Sequence, residues 1–319
     1  MLNIEDLYLS FNTPAGEVRA LNGVTFDVQN GEVVGVVGES GSGKSVTATV
    51  LLSLVPHPGR VKSGHVDFDG RDIIGMPEHE IRKIRGGEIA MMFQDSMTSM
   101  NPVFTVGNQL IETIMLHTDM GRKAARAHAI NMLELVGITE AEIRMKQYPH
   151  ELSGGMRQRI MIAMALSCRP KLLIADEPTT ALDVTVQAQI MDLLKNLRQE
   201  TNAAIILITH DLGIVADISD RVVVMYSGII VERGTVDEIF DETAHPYTKG
   251  LLKCLPRLDD ETDKPLEPIE GQPVDLLNMP EGCPFASRCS DCMRICLREL
   301  PPEFELSQTH TSRCWLLAT

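Results

Sequence analysis

EVVGVVGESGSGKS, residues 32–45, decides how this chain of 319 residues folds. Its first half is a valine-rich apolar run that predicts a buried strand. Its second half, GESGSGKS from Gly38 to Ser45, fits G-x-x-x-x-G-K-S/T, and the residues that follow predict a helix. Strand, glycine-rich turn and helix are the context this pattern needs to cradle phosphate. Glycine lets the backbone curl so that successive N–H groups face one anion, and a helix N-terminus adds a favourable dipole. Gly38, Ser40, Gly41, Gly43 and the backbone up to Val46 therefore form the expected cradle. Lys44 is expected to reach the terminal phosphates, and the Ser45 hydroxyl to ligate Mg²⁺.

Working outward, VTFDV (24–28) predicts another short strand, and helical spacing of apolar residues sets in at VFTVGNQLIETIM and RKAARAHAINMLELVG, so a helical insertion is expected over about 96–168. KLLIADEP (171–178), AAIILITH (203–210) and RVVVMY (221–226) predict strands alternating with the helical VTVQAQIMDLLKNLRQET, the pattern of an α/β protein with parallel strands. LLIADEP ends a buried strand on Asp176, expected to support Mg²⁺, with Glu177 placed to orient or deprotonate an attacking water. Beyond residue 255 the composition turns to Pro, Asp and Glu. A linker is expected over 256–280 and a cysteine-rich extension over 281–319, after a first domain of 1–255.

A formal charge of −15 argues against nucleic acid as a partner. The N-terminus MLNIEDLYLS lacks a basic stretch followed by an apolar one, and no apolar run approaches the roughly 18 residues that span a bilayer, so a soluble, cytoplasmic chain is expected. In a reducing compartment, clustered cysteines point to metal more than to disulfides. Five of the seven cysteines fall between residues 283 and 314.

LSGGMRQR, Leu152 to Arg159, resembles the signature sequence of ABC ATPases, and the other elements of that family occur in the expected order along the chain: Gln94 in MMFQDSM before it, then ALD at 181–183 and His210 in LITHD. The resemblance implies a P-loop cassette with a helical subdomain and an antiparallel β subdomain. It also implies that Ser153, Gly154 and Gly155 form a second anion cradle for nucleotide on another subunit's P-loop, although a plain helix cap also fits SGG. Gln94 would join Ser45 and Asp176 around Mg²⁺, and with Glu177 and His210 form the catalytic set. Phe11 stands where the family usually sets an aromatic ring against adenine, with Tyr8 as competitor.

Several stretches are similar to ATPase subunits of dipeptide and oligopeptide permeases: VVGVVGESGSGKSV, FQDSMTSMNP, ELSGGMRQR, ADEPTTALDVTVQAQI and HPYTKGLL. Ser96 and Met100 depart from the family's usual Pro and Leu, where a cassette touches its membrane subunits. The resemblance implies an ATPase on the cytoplasmic face of the inner membrane. Its partners would be two transmembrane permease subunits, a second and paralogous ABC ATPase, and an extracytoplasmic peptide-binding protein. An importer for nickel or another peptide-like solute is the alternative, and a soluble ABC ATPase the more distant one.

The extension matches the family's GCPF-x-x-RC at Gly282, Cys283, Pro284, Phe285, Arg288 and Cys289. Cys283, Cys289, Cys296 and Cys314, separated by 5, 6 and 17 residues, are by that resemblance the ligands of a 4Fe–4S cluster, with zinc as the rival and Cys292 surplus. Cys168 and Cys254 are expected to be core residues on apolar helix faces.

Overall fold

Val33–Val37, the strand in front of the P-loop, is buried at every residue, as a strand covered on both faces must be. In this computed structural model, which describes residues 1–93, 99–179, 184–255 and 268–318, the chain divides into two compact units. The first comprises residues 1–28, 33–74 and 208–319; the second, residues 29–32 and 75–207.

In the first unit Val33–Val37 pairs in parallel with Arg221–Tyr226, Gly35 opposite Val222. Arg221–Tyr226 turns back through Ser227 and Gly228, both at positive φ, into the antiparallel strand Ile229–Thr235, the geometry a two-residue hairpin prefers. The sheet continues into the extension. Thr311–Ser312 pairs with Arg233 and Glu232, and Phe304–Glu305 pairs with Thr311–Ser312. The irregular appendage expected from composition is thus partly an edge of the cassette sheet. Phe285, from the GCPF motif, is buried among Tyr226, Tyr247, Val231 and Ile239. Burial of a large apolar side chain of this kind contributes roughly 1.5–3 kcal/mol, so the extension is docked on a core it does not have to build alone.

The same unit holds a four-stranded antiparallel sheet in the order Gly16–Val28, Leu2–Thr13, Gly59–Phe68, Arg71–Asp72. Ile4 pairs with Phe26 on one side and Val66 on the other. All three side chains are buried, while the alternate positions Asn3 and Glu5 face water.

In the second unit Ile89–Met92 pairs in parallel with Leu172–Asp176, Ala90 opposite Leu173, and Ala204–Ile208 lies on the other side of Leu172–Asp176. Helices Val106–His117, Arg122–Leu135, Ala141–Arg144 and Gly154–Leu166 occupy the stretch expected to be helical. Thr105 starts the first of them by accepting the Asn108 N–H, an N-cap contribution of about 1 kcal/mol. Val184–Thr201 is the long helix expected between two strands.

Three expectations need correction. Cys168 and Cys254 follow the last residues of their helices and are only half-buried, so they are terminus residues and not core. Met100 is buried at 3% exposure, so its departure from the family's leucine is a packing change and not a surface one.

Candidate nucleotide site and cysteine-rich extension

The P-loop belongs to the first unit, and its glycines are dictated by crowding as much as by φ. A Cβ on Gly38, at φ +147°, would run into the Met225 carbonyl oxygen; one on Gly43, at φ +105°, would press on Leu21 and on the Ala20 carbonyl. Gly43 is the N-cap of Lys44–Leu51 and offers no side chain to cap the first turn, the arrangement in which a helix N-terminus can receive an anion. Lys44 is buried at 7% exposure, its ammonium donating to the carbonyls of Gly38 at 2.7 Å and Glu39 at 2.9 Å and to Ser42 Oγ at 3.4 Å. Ser40, Gly41 and Ser45 are exposed and Val46 is half-buried.

His210 also lies in the first unit, exposed between two fixed neighbours. Thr209 Oγ1 accepts the Asp211 N–H, and Asp211 caps helix Leu212–Ile218 by accepting from Gly213 and Ile214. The stub that presents His210 is therefore rigid. Phe11, half-buried, pairs with Gly59, and a Cβ on Gly59 would strike its ring; Tyr8 is exposed and lies over Gly23.

The second unit carries Asp176 and Glu177. Asp176 ends a fully buried strand and is itself 3% exposed. Glu177 sits at φ +48°, in the left-handed region, a conformation that costs a non-glycine residue about 1–3 kcal/mol and gathers at functional sites. The following turn is pinned from LSGGMRQR, where buried Gln158 donates through Nε2 to the Pro178 carbonyl at 2.6 Å. Ser153 is the N-cap of Gly154–Leu166, its Oγ accepting the Met156 N–H at 3.3 Å, so the capping role is real. It does not explain the glycines. A Cβ on Gly154 would meet nothing within 4 Å, and one on Gly155 would meet only Val186 at 3.8 Å. Gln94 and the ALD stretch lie outside the described residues.

In the extension Cys283, Cys289, Cys296 and Cys314 line one cavity with Phe285, Pro301 and Trp315. Cys292 is exposed beside Cys296 and does not line it. Burial pushes the Cys283 thiol up to about 11, with the other three cavity sulfurs adding to the effect, and burial likewise raises Cys289 and Cys314. Among the described residues no three His, Cys, Asp or Glu side chains are drawn together closely enough to hold a metal ion. The four thiols thus converge on one space without forming a ligand set.

The cassette and its extension both have relatives. Residues 21–180 match the ABC transporter family, and residues 231–296 match the oligopeptide/dipeptide transporter C-terminal region. The chain is 52% identical to the oligopeptide transport ATP-binding protein OppD of Bacillus subtilis over 318 residues, covering 99% of this chain and 89% of that protein. The OppD of Escherichia coli is 53% identical, covering 99% of this chain and 93% of its own length. The dipeptide transport ATP-binding protein DppD of Bacillus subtilis is 51% identical, with 99% and 94% covered. This chain belongs to the ATP-binding proteins of oligopeptide and dipeptide ABC transporters. The fold agrees. The ATP-binding cassette MJ0796, solved as a dimer in a post-hydrolysis state bound to ADP and phosphate, has TM-score 0.68 at 26% identity over 74% of this chain and 99% of its own. As a member of this family the chain is an ATPase that uses ATP with Mg²⁺. No helix among the described residues is long and apolar enough to cross a membrane.

Two contributors to the site carry no signal of their own in the sequence. Tyr247 and Gln158 each fix a loop of the candidate site, and each sits inside a motif quoted only for its resemblance. Arg288 stands out in the sequence only as part of the GCPF-x-x-RC motif, yet its guanidinium is bonded to the P-loop residue Glu39.

Proposed function

We propose that this chain is the ATP-hydrolysing subunit that powers import of dipeptides or oligopeptides through a binding-protein-dependent ABC transporter at the cytoplasmic face of the inner membrane. The observation that carries the substrate class is the match of residues 231–296 to the oligopeptide/dipeptide C-terminal region, added to near-full-length relatives of that kind. In this reading two transmembrane permease subunits and a second, paralogous cassette complete the machine, and an extracytoplasmic binding protein selects the peptide. The chain reads nucleotide and not peptide.

Residue roles follow from chemistry. The P-loop N–H groups and Lys44 hold the phosphates; Ser45, Gln94 and Asp176 serve Mg²⁺; Phe11 faces the adenine ring. Glu177 takes a proton from water as the water oxygen bonds to the γ-phosphorus and the bond to the ADP oxygen breaks, and His210 contacts the γ-phosphate. The strained backbone of Glu177 supports its assignment. Ser153, Gly154 and Gly155 act on the nucleotide of the other cassette, a role supported by two glycines that no crowding among the described residues requires. Residues 1–255 form the nucleotide-binding domain with its helical part at about 96–168, followed by a linker to 280 and the extension from 281. Cys283, Cys289, Cys296 and Cys314 would hold a 4Fe–4S cluster, with one zinc ion as the rival. The cavity they share supports that choice of four, while the side chains as placed are not drawn together into a ligand set; the cluster would supply a structural staple.

Glu177→Gln tests the reading. The variant is expected to bind ATP and Mg²⁺ like the parent and, assembled with an equally disabled second cassette, to lose ATP turnover by at least about 100-fold. Turnover within tenfold of the parent would remove Glu177 from the reaction.

A further inference from the structure

The cysteine-rich extension grips the P-loop. Glu39, the second residue of GESGSGKS, is paired in a fork-to-fork ion pair with Arg288: one terminal nitrogen reaches Oε2 at 2.5 Å and the other Oε1 at 2.9 Å. Arg288 is next to Cys289 in sequence, and its side chain is 3% exposed. Every remaining direction of the guanidinium is taken. Nε donates to the Glu270 carbonyl at 3.0 Å, the terminal nitrogens reach the Ile269 carbonyl at 3.2 Å and Tyr226 Oη at 3.3 Å, and the plane lies 5.8 Å from the Tyr226 ring and 5.9 Å from that of Phe285. Such a site fits a planar bidentate cation and would not be filled by lysine. Glu39 is also held by its backbone, since its N–H donates to Oη of the buried Tyr247 at 2.8 Å. Its carbonyl in turn accepts from the Lys44 ammonium at 2.9 Å. A run of direct contacts therefore leads from the extension to the residue that meets the terminal phosphates, all within one compact unit.

We infer that Arg288 is a positioning residue for ATP binding: through Glu39 it holds the P-loop in its binding conformation and cancels a carboxylate charge beside the phosphate cradle. The inference rests on reading GESGSGKS as the ATP site. Two physical effects act in the same direction. A loop already held in place loses less freedom when nucleotide arrives, and apparent affinity scales with the fraction of molecules in the competent state. An unpaired Glu39 would also set a negative charge against a triphosphate. Neither effect concerns the chemical step, so the loss should fall on binding alone.

The test is titration of the full-length chain with a fluorescent ATP analogue and Mg²⁺, comparing the parent with Arg288→Ala, Arg288→Lys, Glu39→Gln/Arg288→Ala and Lys44→Ala. Thermal melts accompany each titration. Arg288→Ala should raise Kd about tenfold, and Arg288→Lys, which keeps the charge without the fork, about threefold. The double variant should return to within about threefold of the parent, because the stranded carboxylate has gone. In the assembled transporter, KM for ATP should rise with Kd while kcat at saturating ATP stays within about twofold. Parent-like Kd in Arg288→Ala would overturn the inference, as would a fall in kcat at unchanged KM. If Arg288→Ala melts too early to titrate, Arg288→Lys carries the test, and a parent-like Kd there is equally fatal. A parent that binds no ATP, or a Lys44→Ala that binds as the parent does, would instead refute the ATP site itself.

Discussion

Glu232→Ala should undock the extension from the cassette before the rest of the first unit loosens. Glu232 is 1% exposed on strand Ile229–Thr235, and its carboxylate accepts from the Ala244 N–H at 2.6 Å, the His245 N–H at 3.0 Å and His310 Nε2 at 2.9 Å. Truncation strands two backbone donors and an imidazole that is itself 2% exposed. Each orphaned group costs about 1–3 kcal/mol, and water entering the vacated space recovers part of that, so the net loss should be about 3–5 kcal/mol. Glu232→Gln, which keeps one acceptor oxygen, should lose about 1–2 kcal/mol. The loss should be local at first, because Glu232 sits opposite Ser312 in the strand pair that joins extension to sheet. Trp315, the single tryptophan of the chain, reports on that region: its Nε1 donates to the Glu299 carbonyl and its ring packs edge-on to Phe304. In urea, the tryptophan transition of Glu232→Ala should move to lower concentration ahead of the far-ultraviolet circular dichroism transition. The reasoning fails if the tryptophan transition shifts by less than the equivalent of about 1 kcal/mol.

Two further outcomes follow from the chemistry of this region. Burial holds the His245 imidazole down to about 3, with the Arg313 backbone opposing and Lys249 reinforcing the shift. The fold therefore keeps this ring neutral while the unfolded chain protonates it below about 6.5, so stability present above that pH is lost as pH falls towards 3, by about 2 kcal/mol at pH 5. Urea unfolding of His245→Asn, which retains an acceptor for the Tyr247 N–H, should show that much less loss between pH 8 and pH 5; an unchanged slope would assign the acid sensitivity elsewhere. In the extension, anaerobically purified protein should carry about four irons per chain with broad visible absorption. Serine at Cys283, Cys289, Cys296 or Cys314 should abolish both, and serine at Cys292 should not. Reloading should tighten as pH rises, since thiols pushed up by burial must first give up protons. One zinc and no iron would replace the cluster, and iron lost in Cys292→Ser would mean a different set of four.

Much of the cassette could be read from local pattern, because a P-loop is a local object. Strand, turn and helix lie within about twenty residues, and crowding at Gly38 and Gly43 leaves their identity little choice. Fully buried strands such as Leu172–Asp176 show as apolar runs, and amphipathic helices such as Val106–His117 show as spacing. What was not legible depends on partners far along the chain. Arg288 and Glu39 are 249 residues apart, and Tyr247 is 208 residues from the N–H it receives. The two-residue strands Phe304–Glu305 and Thr311–Ser312 are too short to leave a periodicity and form only because the edge at Ile229–Thr235 is available. The proline- and cysteine-rich composition read as an independent appendage for the same reason: nothing within it reveals that Phe285 is buried against Tyr226 and Tyr247.

The central claim, that this chain hydrolyses ATP to drive peptide import, is tested most directly in proteoliposomes containing the chain with its second cassette and membrane subunits. A purified binding protein is supplied on the outer side and labelled peptide uptake is followed together with phosphate release. Di- or oligopeptide should stimulate phosphate release and accumulate inside only when ATP is present, and Glu177→Gln in both cassettes should abolish both signals. Phosphate release that ignores peptide but responds to a nickel complex, or peptide uptake that persists with Glu177→Gln, would contradict the account.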